Sequence, residues 1–278
     1  MTALAHTPSG PAPAHGPSSS PTIWRVFEHR LMAYRRTFRS SLFTSFITPT
    51  LFLAAMGLGL GSYVDSGDSA TLGGISYLAF LAPGLLAASA MNSSAFEATF
   101  PVMRGLLWSR TFHAMYATPI SARDITLGNL AFMVARLTLV ATAFTVVIVL
   151  FGAATSPLIV LAVPAAVLTG MAFAAPITAF SATQKTPEKF NALFRFVITP
   201  LFLFSGTFFP VSSLPPVLQS VAWFTPLYHG VSLTRGLSLG TISQDPLAAV
   251  VDVLFLSAFV IVGTLFAIRT IGARLVRG

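Results

Sequence analysis

Cysteine is absent from the 278 residues, which excludes disulfides, thiol catalysis and cysteine metal sites. Acidic residues are scarce as well. Eight Asp and Glu stand against sixteen Lys and Arg, and charged residues make up only 9% of the chain. A water-facing domain of this size carries about a quarter, so most of this surface does not face water. The five histidines and eight acids are scattered, with no HExxH and no carboxylate pair at helical spacing. That pattern indicates no metal site and no hydrolytic centre. No G-x-x-x-x-G-K-[ST] occurs, so the chain shows no nucleotide-binding loop of its own. The net charge of +8 raises nucleic acid as a partner. The basic residues border apolar runs instead of forming a patch interleaved with aromatics, which argues against that partner.

What the chain has is apolar sequence. Hydrophobic residues are 54% of it, and its mean hydropathy is +0.79. This length leaves room for about six membrane spans of roughly 20 residues each. The predicted class is therefore an all-α integral membrane protein with six transmembrane helices. Residues 1–21, rich in Pro, Ser, Ala and Gly, read as a disordered tail, with His6 and His15 as solvated residues of it. Residues 22–40 read as an interfacial amphipathic helix. Ile23, Trp24, Val26, Phe27, Leu31, Tyr34 and Phe38 lie opposite Arg25, Glu28, His29, Arg35, Arg36 and Arg39. Residues 41–278 form the membrane domain, with spans predicted near 42–60, 75–95, 130–151, 158–180, 193–209 and 247–268. Gly57, Gly59 and Gly61 end the first span, where small residues suit close helix packing.

Lys and Arg set the expected orientation. With the N-terminus in the cytoplasm, Arg25 to Arg39, Arg104, Arg110, Arg123, Lys185, Lys189, Arg274 and Arg277 all lie inside. Arg235 is then the basic residue left outside, with Asp65, Asp68 and Asp245. This predicts a multi-pass protein of the inner or plasma membrane with both termini cytoplasmic.

Two segments carry a finer signal. The first is FLFSGTFFPVSSLPPVLQSVAWFTPLYHGVSLTRGL from Phe202 to Leu237. An apolar run ends in Ser205-Gly206-Thr207-Phe208-Phe209-Pro210; a Pro215-Pro216 pair, a short amphipathic stretch and Pro226-Leu227-Tyr228-His229 follow. The second is Met115-Tyr116-Ala117-Thr118-Pro119-Ile120-Ser121 between spans two and three. The order of elements resembles the membrane subunit of type-2 ABC exporters, from about Ile23 to Arg274. Within that family it is similar to the branch exporting drugs, lipo-oligosaccharides and related amphiphiles.

The resemblance implies a re-entrant pair of short outer helices at about 210–240 and a coupling segment at about 100–129. It implies docking of the coupling segment on an ABC ATPase subunit through Met115, Tyr116, Thr118, Pro119 and Ile120. The chain itself would bind no cofactor; ATP and Mg would act through the partner ATPase, and the chain would be no enzyme. A second permease, identical or related, and membrane lipid complete the implied partners. Gly206, Phe208 and Phe209 are candidates for an outer gate on the transport pathway, with Gly206 admitting a neighbouring helix. Lipid contact and packing account for the two phenylalanines equally well.

Charges inside spans are costly. Glu97 and Arg136 are therefore candidates for an ion pair, as a gate switch or as a static link between helices. His229 has no obvious second ligand and reads as structural. Asp252 reads as an outer-boundary residue. A secondary transporter or a membrane enzyme is the competing function. The apolar spans suit a drug, a lipid and a glycan-linked lipid alike, and leave homodimer and heterodimer open.

Overall fold

The computed structural model describes residues 20–61 and 74–277. The tail expected over residues 1–21 falls outside them up to residue 19, as do Asp65 and Asp68. Every regular element among the described residues is helical.

Helix α1, Ser20–Arg35, ends at a tight turn in which both the amide and the hydroxyl of Thr37 donate to the Tyr34 carbonyl. Helix α2, Phe38–Ala54, begins straight after it and continues into a π turn, Ala55–Leu60. The expected interfacial helix to residue 40 is thus shorter, and Phe38 and Arg39 belong to the next element. Of its expected apolar face, Val26 is buried, whereas Trp24 is 62% exposed. Val26 and the Ile23 carbonyl sit so close to Gly128 that a Cβ there would meet them below 3 Å, which pins α1 across the start of the helix Ala122–Leu150.

Helix α3, Tyr77–Met103, is capped by Ser76 and runs into a π turn, Arg104–Trp108. It is the most buried of the long helices and forms the centre of the bundle. A six-residue helix, α4 (Thr111–Tyr116), and a tight turn lead to α5, Ala122–Leu150. Ser121 starts α5 with a capping box: its Oγ accepts from the Asp124 amide, and the Asp124 carboxylate accepts from the Ser121 amide. Such a reciprocal cap satisfies two otherwise orphaned donors. Helix α6, Ala162–Thr183, is rich in buried alanine. Lipid provides no hydrophobic drive between helices, so close packing of small residues has to hold them together. The backbone distances agree. A Cβ on Gly170 would lie 3.1 Å from the Ala90 carbonyl of α3, and one on Gly263 would lie 2.6 Å from Pro176.

The next helical run is α7 (Glu188–Leu193), a π turn (Phe194–Ile198) and α8 (Thr199–Phe204). It stops at Phe204, earlier than the expected residue 209, because Gly206 turns the backbone at φ +85°. Then come α9, Pro216–Trp223, and α10, Pro226–Leu239, the second of them largely buried against α3, α6 and α11. Helix α11, Pro246–Arg277, packs along α6 and leaves a broad apolar face exposed.

Among the described residues, four helical runs are long and apolar enough to cross a membrane: Tyr77–Trp108, Ala122–Leu150, Pro157–Thr183 and Pro246–Arg277. Of the other two expected spans, the first corresponds to a shorter apolar helix, Ser41–Gly57, and the fifth to the helical run from Glu188 to Phe204. The two ends of the bundle differ in charge. Arg235 sits at the end formed by the start of α3, the 205–210 turn and α10. The other fifteen Lys and Arg lie in the opposite half, with α1 and the 104–121 segment.

Candidate functional site

A cavity of about 780 Å³ opens between α2, α3, α5 and α8. Its lining mixes polar residues, Ser41, Thr44, Ser45 and Thr48 of α2 and Ser89, Asn92 and Ser93 of α3, with apolar ones, Leu85, Phe96, Val140, Phe144 and Phe202. The hydroxyls are not idle strain. Ser45 Oγ donates to the Ser41 carbonyl at 2.8 Å, Asn92 Nδ2 donates to the Ala88 carbonyl at 2.9 Å, and Ser41 Oγ accepts from the Tyr34 hydroxyl at 2.7 Å, so these three lining groups are bonded within the chain.

At the basic end of the cavity stands a charged cluster. Arg136 pairs with Glu97 Oε2, and Arg30 of α1 reaches Glu97 Oε1 at 3.4 Å. Glu97 is 8% exposed. The Arg30 guanidinium lies over the Phe132 ring at 4.9 Å, and that of Arg136 faces Tyr34 at 5.7 Å. Glu97 and Arg136 are thus brought together, and a third helix joins them. Arg30 was not singled out from the sequence, although at 100° per residue it falls on the side of Val26, Phe27 and Tyr34 and away from the other arginines of α1, which was the available signal.

At the other end the aromatics converge. Phe208 packs edge-on to Phe202 at 5.0 Å and tilted to Phe52 at 6.4 Å. Phe208 and Phe209 are both half-buried. Within this chain a Cβ on Gly206 would meet only Val211 closely, at 2.9 Å, and the positive φ is what demands glycine there. The glycine of close approach is Gly84. A Cβ there would lie 3.1 Å from the Thr207 carbonyl and from Arg235.

Arg235, expected outside as a topology signal, points inward. Its Nε donates to the Phe80 carbonyl at 3.1 Å and its Nη2 to the Gly206 carbonyl at 2.8 Å, with the guanidinium 3.7 Å above the Phe80 ring. Thr234 donates to the Pro83 carbonyl at 2.9 Å. Together they fasten α10 to the proline-broken start of α3.

The expectation that no carboxylate meets His229 is corrected. His229 Nδ1 lies 2.6 Å from Asp252 Oδ1, and Nε2 lies 2.9 Å from the Trp223 carbonyl. Both side chains are buried. A carbonyl only accepts, so Nε2 carries a proton, and the short Nδ1 contact needs a second one between ring and carboxyl. The pair ties the α9–α10 junction to α11. Twenty-three residues separate the two, across a helix break, which is why spacing did not reveal it.

The segment between α3 and α5 has a rigid, exposed tip. Thr118 Oγ1 and the Thr118 amide both donate to the Met115 carbonyl, and the Ile120 amide donates to the Thr118 carbonyl. Ala117, Thr118 and Pro119 are exposed. Met115, Tyr116 and Ile120 are half-buried against this chain's own core, so they brace the tip more than they present it. Behind it, burial first and then the charges of Arg110 and Arg274 pull the His113 pKa below its usual range, which favours the neutral ring.

The sequence profile of ABC-2 type transporters matches residues 22–239. Nodulation protein J of Rhizobium leguminosarum bv. viciae is 30% identical over 92% of this chain and 94% of its own. Nodulation protein J of Rhizobium leguminosarum bv. trifolii is 34% identical over 78% of this chain and 80% of its own. The inner membrane transport permease YadH of Escherichia coli K12 is 28% identical over 87% and 91%. The matched span takes in the charged cluster, the cavity, the tip at Thr118 and the turn at Gly206. The chain belongs to the ABC-2 type transporter family and is a multi-pass membrane permease of that kind.

Proposed function

We propose that this chain is the permease subunit of an ATP-driven exporter that moves an amphiphile, whether drug, lipid or glycan-linked lipid, out of the cytoplasm. The observation that carries the reading is the cavity between α2, α3, α5 and α8. Its lining combines hydroxyl and amide side chains with apolar ones, with charge at one end and aromatic rings at the other. An amphiphile needs both kinds of surface at once.

On this reading the two shorter runs also cross the membrane. Glu188 to Phe204 is 17 residues of helix, about 26 Å at 1.5 Å per residue, close to the ~30 Å hydrocarbon core. With α2 and the four long helices this makes six spans. Helices α9 and α10, within residues 210–240, dip back from the outer surface. The basic end of the bundle is cytoplasmic by the positive-inside rule, which puts both termini inside. Residues 22–40 then lie at the inner surface, and residues 41–278 form the permease domain behind an N-terminal tail over 1–21.

The family implies an ABC ATPase as partner. The exposed Ala117–Pro119 tip, within the 100–129 coupling segment, is the element that would enter it, with Met115, Tyr116 and Ile120 transmitting the push into α3 and α5. ATP and Mg act in that partner, while this chain binds none. Two permeases, identical or related, face each other across the exposed apolar surface of α2. Phe208 and Phe209 close the outer end of the pathway, on the turn made by Gly206. Co-expression with a candidate ABC ATPase subunit tests the reading. The two should co-purify, and amphiphiles should stimulate hydrolysis in lipid; failure of both would defeat it.

A further inference from the structure

The charged cluster at the inner end of the cavity is not balanced. Arg30 and Arg136 both turn to Glu97, and Arg104 lines the same cavity. Three guanidiniums against one carboxylate leave two positive charges. Among the described residues no other acid is ion-paired with this cluster. The remaining nearby compensation is aromatic, from Phe132 and Tyr34. Cation–π contacts attract the guanidiniums but neutralise nothing. The Nε–H groups of Arg30 and Arg136 are buried and have no acceptor. The strain is felt at Arg30. Burial first, then the repulsion of Arg136 and Arg104, pushes its pKa down to about 10.

An arrangement of this kind is stabilised by adding an anion. We propose that Arg30, Arg104 and Arg136 bind the anionic headgroup of an amphiphile, a phosphate, sulfate or carboxylate, whose apolar part lies along Phe96, Val140 and Phe144. This rests on the exporter reading, since it names the substrate class of the same cavity. The geometry favours oxyanions over simple anions, because planar guanidiniums present paired donors that match two oxygens at once. Glu97 is the competitor. It occupies the two arginines in the empty state and yields part of that pairing to the incoming group.

The same chemistry has two sources, the transported amphiphile and a resident anionic bilayer lipid. The test uses the permease with its ATPase in phosphatidylcholine nanodiscs. Dodecyl phosphate, dodecyl glucoside and inorganic phosphate serve as probes, with binding read directly and ATP hydrolysis in parallel. Dodecyl phosphate should bind at least about tenfold tighter than the glucoside and than inorganic phosphate. Arg104→Gln, which leaves the Glu97 pairs intact, should remove about tenfold of that. Glu97→Gln should do the opposite and tighten binding, because it removes the competing carboxylate. A merely structural cluster predicts damage from both variants, so this opposition of sign is the decisive readout. Arg277→Gln, at the far end of α11, should leave binding as in the parent.

If dodecyl phosphate stimulates hydrolysis, the occupant is cargo. If it does not, and phosphatidylglycerol in the nanodisc competes with it, the occupant is a resident lipid. Equal binding of the phosphate and the glucoside overturns the site, as does weakening by Glu97→Gln. Loss of the site with ATP-driven transport intact leaves the exporter reading standing. Binding without any associated ATPase does the reverse.

Discussion

The His229–Asp252 pair offers the sharpest test of how the outer elements are held. His229 is 1% and Asp252 5% exposed, so water cannot replace a lost partner. His229→Ala removes three things: the proton shared with Asp252, the donor to the Trp223 carbonyl, and the ring stacked 4.0 Å from Phe255. Breaking a buried ion pair by removing one partner costs about 3–5 kcal/mol. That is two to four decades in the folded-to-unfolded ratio, at about 1.4 kcal/mol per decade. Asp252→Asn behaves differently. A neutral ring can keep Nε2–H on the Trp223 carbonyl and accept the Asn amide at Nδ1. Its cost should be about 1 kcal/mol, the usual net worth of one hydrogen bond. Asp252→Ala falls between, because Nδ1 is left buried and unpaired at about 1–3 kcal/mol. Denaturant titration of the purified permease in mixed micelles, followed by tryptophan fluorescence, reads the series. Trp223 sits at the joint and reports its release. The reasoning is refuted if His229→Ala matches the parent within about 0.5 kcal/mol, the scatter of ordinary surface substitutions. It is refuted equally if Asp252→Asn is as damaging as His229→Ala.

Other predictions follow from the same geometry. Thr118→Arg with Pro119→Gly, at the exposed tip, should weaken association with the ATPase while leaving the permease folded; Tyr116→Ala should instead lower thermal stability, and pull-down plus melting curves separate the two. Gly206→Ala should cost about 1 kcal/mol or more from the positive φ and slow transport, whereas Gly84→Ala should also disturb Thr207 and Arg235 and lower the yield of folded protein. Phe208→Ala should raise basal ATP hydrolysis or substrate leak at matched expression, since it removes the ring joining Phe52 to Phe202; parent-like values would make these rings packing only. A cysteine at Ser243 should react with an impermeant thiol reagent outside intact cells and one at Thr186 should not; labelling at Thr186 would reverse the orientation.

The long spans were legible because hydropathy and charge asymmetry are local properties of the chain. Glu97 and Arg136 were legible for a related reason: a charge within an apolar run needs a partner, and few were available. The cap at Ser121 could be read from residue type and position. Less was visible where the chain meets itself at a distance. Nothing local to Pro83-Gly84 reveals that Thr207 and Arg235 approach there. His229 and Asp252 looked unrelated because a helix break intervenes. Arg30 was passed over although it falls with Val26, Phe27 and Tyr34 on the apolar side of α1, where a charge asks for a partner. The apolar residues beside Thr118-Pro119 suggested contact with another chain, yet the same residue types are what this chain needs to brace its own turn.

The central claim is that this permease couples an amphiphile's movement to ATP in a partner chain. The most direct measurement is uptake of a fluorescent amphiphile into inside-out vesicles carrying permease and ATPase. Uptake should require ATP, stop when the ATPase's Walker lysine is replaced, and survive collapse of the proton gradient. Uptake that persists without ATP and disappears with the gradient would contradict the account.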